Sequence, residues 1–61
     1  MPITADDLAE ALIRMFGGDA ARQARENAAS NAQAGDETSA RMWLAVADSV
    51  MAKLTRGPLR R

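Results

Sequence analysis

The 61-residue chain contains no cysteine, no histidine and no tyrosine, and its only aromatic residues are Phe16 and Trp43. Without cysteine there is no disulfide or thiolate metal site to brace a small scaffold. Without histidine it lacks the commonest metal ligand and the side chain best suited to acid/base work near neutral pH. These absences exclude zinc fingers, thiol redox motifs and histidine-based catalytic triads. No window reaches the roughly 18 consecutive apolar residues of a membrane span. The opening Met1-Pro2-Ile3-Thr4-Ala5-Asp6-Asp7 is acidic where a secretory signal is basic and then apolar. Together these features predict a cytoplasmic protein with no membrane partner.

Hydrophobic residues make up 48% of the chain, but 14 of them are alanine. Alanine packs closely yet removes little apolar surface from water, so 15 larger side chains supply most of the driving force. A chain this short buries only roughly 60% of the surface exposed when unfolded. The expectation is a single helical domain, residues 1–57, whose core is completed by a partner, followed by a mobile basic tail at 58–61.

Glycine and proline divide the sequence at Pro2, Gly17-Gly18, Gly35 and Gly57-Pro58. The intervening segments are rich in Ala, Arg, Glu, Gln, Met and Leu and poor in β-branched residues, which favours helix over strand. This predicts an all-α fold of three short helices at about 5–16, 20–34 and 37–55. Thr4 is placed to cap the first helix by accepting from the amide three residues on, and the acids after it match the helix dipole. Leu8, Leu12, Ile13 and Phe16, with Ala5 and Ala9, recur at helical spacing and form one stripe. Gly17-Gly18 is expected to stop that helix.

Asp19 is the expected cap of the second helix, which carries Ala21, Ala24, Ala28 and Ala32 on one face. Gly35 suits a left-handed helix end, and Asp36 immediately after it suits the next cap, so helices two and three should fold into an antiparallel hairpin. The third helix carries Ala40, Trp43, Leu44, Ala47, Val50, Met51 and Leu54 on a near-heptad seam. Lys53 and Arg56 suit its C-terminal end, and Gly57-Pro58 closes it. Trp43 is expected to be the largest contributor, packing near Leu44, Ala47 and the stripe of Leu8, Leu12 and Phe16.

No residue set supports catalysis, a cofactor or a small-molecule substrate. Asp6, Asp7 and Glu10 cluster at the first turns, where dipole-matched acids are ordinary. Ser30, Ser39 and Ser49 have no histidine to activate them. Gly17-Gly18-Asp19 lacks both phosphate-binding glycine spacings, and Asp19 would repel an anion there. A helix-turn-helix reading of the second and third helices fails because Asn31 stands where that motif usually has alanine and because the third helix is the most apolar.

Zero net charge conceals an asymmetry. Residues 1–37 hold seven acids and three bases, whereas 38–61 hold only Asp48 against five bases. Lys53, Arg56, Arg60 and Arg61 are therefore candidates for contact with an anion or a nucleic-acid backbone, although without a platform of aromatics for stacking bases.

The run Leu12-Ile13-Arg14-Met15-Phe16-Gly17-Gly18-Asp19-Ala20-Ala21, then Ala34-Gly35-Asp36, then Trp43, Val46 and Leu54, resembles a group of short helical proteins of alphaproteobacteria. The group shares an aromatic-Gly-x-Asp-Ala-Ala turn, a Gly-Asp turn and a downstream Trp, over about residues 9–58. The resemblance implies a small bacterial helical protein and brings no catalytic residues.

The sequence thus leads to a non-catalytic protein-protein interaction module, accessory or regulatory, such as an inhibitor of a larger complex. Its expected interface is Leu8, Leu12, Phe16, Trp43, Leu44, Ala47, Val50, Met51 and Leu54, and its simplest partner is a second copy, giving a dimeric helical bundle. The alternative is weak nucleic-acid binding through the basic C-terminal end.

Overall fold

A computed structural model describes residues 3–56. Among them every regular element is helical, and the order is α1 (Ala5–Phe16), a 3-10 turn (Gly17–Asp19), α2 (Ala20–Gln33) and α3 (Glu37–Arg56). The expectation of three separate helices needs correction. The helical backbone runs in two unbroken stretches, 5–33 and 37–56, because the Gly17-Gly18 pair bends the first stretch without inserting a loop. Gly17 takes a positive φ, at φ 57° and ψ −124°, while Ala20 is already fully helical at φ −59° and ψ −41°. Glycine reaches such a positive φ without a Cβ clash, so one residue suffices for the bend.

The start of α1 forms a reciprocal capping box. The Asp7 amide donates to Thr4 Oγ1 at 3.1 Å, and the Thr4 amide donates back to Asp7 Oδ2 at 3.3 Å. Asp19 does not act in the same way for α2: its carboxylate makes no capping bond and instead pairs with Arg22 at 3.1 Å. A cap needs extended backbone, and Asp19 sits at φ −89° and ψ 1° inside the 3-10 turn, so its side chain is turned away from the amides it was expected to meet.

The α2–α3 junction follows the sequence closely. Gly35 has φ +86°. The Gly35 amide donates to the Ala32 carbonyl at 3.0 Å, and the Asp36 amide donates to the Asn31 carbonyl at 2.8 Å. This is the Schellman arrangement, which satisfies carbonyls otherwise orphaned at a helix end. Asp36 then caps α3 by accepting the Ser39 amide at 3.1 Å, so one residue closes one helix and opens the next. Hydrogen bonds from the Ser39 side chain and amide hold the Asp36 carboxyl below its ordinary value.

The three helical limbs share one core of Ala9, Leu12, Ala20, Ala21, Ala24, Val46, Ala47 and Val50, with Ala5, Leu8, Ile13 and Trp43 packed against it. Ala28 and Ala40 are buried nearer the hairpin turn. Among the described residues, seven of the ten buried hydrophobic ones are alanines, and Val46 and Val50 are the largest side chains fully enclosed. Small side chains let helix axes approach closely, which is why α2 and α3 make the most extensive contact. Two details depart from the sequence pattern. Ala32, expected on the buried face of α2, is exposed, and Ala20 is buried in its place. Val46, which lies off the expected α3 seam, is completely buried. Ala32 lies in the last turn of α2 beside the hairpin connection, and α1 packs on the side of α3 that carries Val46, Ser49 and Lys53. The expected stop at Gly57-Pro58 and the tail at 58–61 lie outside the described residues.

Candidate interaction surface

Two groups of side chains stand apart from the core, one polar and one apolar. The polar group joins α1 to α3. Lys53 Nζ lies 3.1 Å from Asp6 Oδ1 and 3.4 Å from Glu10 Oε2, and Ser49 Oγ donates to Asp6 Oδ1 at 2.9 Å. Asp6 and Glu10 are one turn apart on α1, as Ser49 and Lys53 are on α3, so each helix presents two polar groups on one face. The bond to Asp6, followed by that to Glu10 and the field of both carboxylates, raises the Lys53 ammonium above its ordinary 10.5.

This arrangement changes the roles read from the sequence. Asp6 is not only a dipole-matched acid, and Ser49, read merely as an unactivated hydroxyl, is part of the clamp. Lys53, a candidate for contact with nucleic acid, has a side chain only 25% exposed and engaged by two carboxylates. The side chain of Arg56 is not among those described, and Arg60 and Arg61 lie beyond residue 56. The signal that could have revealed the clamp is the pair of matching four-residue spacings, acid-acid on α1 and hydroxyl-ammonium on α3.

The apolar group is formed by residues expected to face a partner. Of the α3 seam, Ala47 and Val50 are buried and Trp43 is half-buried, whereas Leu44, Met51 and Leu54 are 50%, 45% and 38% exposed. On α1, Leu12 is buried and Leu8 half-buried, but Phe16, which ends the helix beside the glycine turn, is exposed along with Met15. Ile3 and Met42 complete the exposed large hydrophobics among the described residues. The interface residues foreseen from sequence therefore divide in two. Leu8, Leu12, Trp43, Ala47 and Val50 hold the chain itself together, while Phe16, Leu44, Met51 and Leu54 remain on its surface.

The reason lies in the width of the seam. Leu44 and Met51 are two turns apart, and Leu54 follows by three residues, so they form a strip along one flank of α3. The core contacts from α1 and α2 centre on Val46, Ala47 and Val50. Two short limbs cannot cover both this centre and the flank.

Among the described residues no cavity indents the surface, and no group of three or more acidic, cysteine or histidine side chains is arranged to hold a metal ion. No helix among them is long and apolar enough to cross a membrane. Comparison with protein-family models, curated proteins and solved structures finds no match.

Proposed function

We propose that this protein is a small non-catalytic interaction module, accessory or regulatory in role, that works as a homodimer through the flank of α3. The observation that carries this reading is the distribution of apolar side chains: the interior is mostly alanine, while Leu44, Met51 and Leu54 lie exposed in a row. Covering a Leu or Met side chain is worth about 1.5 to 3 kcal/mol, and a monomer of this size has little stability to spare. The turn that resembles those of short alphaproteobacterial proteins supports the same class, a compact helical scaffold whose working part is its surface. A cytoplasmic setting agrees with this reading.

Sedimentation velocity from low to high micromolar concentration tests it. The expected result is a concentration-dependent shift from 6.5 kDa to twice that mass, accompanied by a melting temperature that rises with concentration. A cooperatively folded monomer across that range, with Leu44→Ser leaving both measurements unchanged, would overturn the homodimer. Steep, salt-sensitive binding of labelled duplex by the monomer would favour the basic C-terminal end instead.

A further inference from the structure

The exposed flank of α3 carries more than apolar residues. Arg41 and Asp48 lie three residues before and four residues after Leu44, which places both on the ridge beside it. Both are exposed. Arg41 reaches Glu37 at 3.9 Å, a pair nearly four-fifths exposed at each end, and its guanidinium keeps further donors free. Asp48 has no ion pair or hydrogen bond to any of the described residues beyond its own helix backbone. The positions one turn away on α3 hold Leu44, Ala45, Met51 and Ala52, none of which can answer its charge. It is the one acid among residues 38–61, which carry five bases.

We infer that two copies pair their α3 helices antiparallel about a two-fold axis at Leu44–Ala45, where each Arg41 meets the partner's Asp48 and the Leu44 side chains pack across the axis. This rests on the homodimer proposed above and specifies its register. A two-fold interface brings residue i against j and j against i, and so doubles every favourable or unfavourable pair. Three arrangements can cover the apolar flank, and charge separates them. A parallel pairing sets Arg41 beside Arg41 and Asp48 beside Asp48. An antiparallel pairing shifted to lay Leu44 on Leu54 is richer in apolar contact, but it brings the two Asp48 carboxylates face to face. Only the antiparallel pairing centred at Leu44–Ala45 converts both charges into attractions. Electrostatic complementarity of this kind selects register more than it adds affinity.

The absence of native cysteine makes the register directly measurable. In the inferred pairing the two copies of residue 44 are nearly level, whereas the two copies of residue 51 are separated by about 20 Å along the axis, far beyond disulfide reach. Under mild oxidation Leu44→Cys is expected to cross-link and Met51→Cys is not. Arg41→Asp and Asp48→Arg should each weaken dimerisation about tenfold at low salt, since each disturbs two exposed pairs, and the double variant should restore it. Cross-linking of both cysteine variants indicates the parallel pairing, and of Met51→Cys alone the shifted one; either result overturns this register while leaving the dimer intact. A dimer insensitive to both charge reversals, with neither cysteine cross-linking, places the interface off α3 and also overturns it. A wild-type chain that stays monomeric removes the homodimer itself.

Discussion

The two junctions that hold the molecule together are built on different principles. Between α2 and α3 the buried side chains are small, Ala24, Ala28, Ala40 and Ala47, and the connection is closed by hydrogen bonds among residues 30–39. Between α1 and α3 the shared core uses larger side chains, Leu12, Val46 and Val50, rimmed by the exposed Asp6 and Glu10 and the half-buried Ser49 and Lys53. The first junction depends on shape, because adding volume forces the axes apart. The second depends on area and charge, because removing volume or a charge leaves a gap or an unpaired group.

The variants that best break this comparison begin with Trp43, the half-buried side chain packed against the common core. Trp43→Ala should cost about 3 kcal/mol, enough to unfold most of a chain whose total stability is of similar size. Loss of the cooperative melt by circular dichroism checks it, and a parent-like melt would show the ring to be peripheral. Ala28→Leu should cost about 1 to 3 kcal/mol by the opposite mechanism, since a branched side chain at a position 4% exposed must push α2 off α3. The same substitution at exposed Ala32 should leave the midpoint unchanged, and the pair measured together by urea denaturation isolates the effect of packing.

Gly35→Ala should cost about 1 kcal/mol although a Cβ there meets nothing within 4 Å, because the strain is in the backbone at φ +86° and not in space. Gly18→Ala, equally open but without a positive φ, should be neutral or slightly stabilising, so the two melts side by side separate conformation from crowding.

The smallest expected effect is electrostatic. Lys53 has a folded value raised above 10.5, so its clamp stabilises fully below that pH and is lost as pH rises through the folded value. The wild type should melt slightly above Lys53→Met at pH 8, with the gap closing as the pH rises through the raised folded value of Lys53. A gap that persists there would assign the effect to packing of the lysine stem.

Much of the hairpin was legible because its determinants are neighbours in sequence. Thr4 with Asp7, Gly35 with Ala32, and Asp36 with Ser39 are spacings of three, and an observer of the sequence needs no fold to see them. Asp19 shows where this reasoning ends. A cap residue before a helix is sound chemistry, but Gly17 let the backbone continue as a 3-10 turn, and the carboxylate went to Arg22. The candidate interaction surface was legible only as a set of apolar positions. Which of them would be used internally depended on where α1 settled, so Val46 was missed and Phe16 and Leu44 were assigned to a stripe and a seam that the monomer leaves uncovered.

The sequence by itself determined the helical class, the hairpin turn, the caps of α1 and α3 and the alanine character of the interior, since all of these follow from local backbone preference and composition. Tertiary structure alone decided that α1 lies on the Val46 side of α3, that Asp6 and Glu10 hold Lys53 across 43 or more residues, and that Leu44 and Met51 face outward. The physical reason is range. A hydrogen bond at a turn is specified by residues already adjacent in the chain, whereas the docking of one amphipathic helix on another is chosen among several faces of similar hydrophobicity. In a chain this short, only the packing of the whole can make that choice.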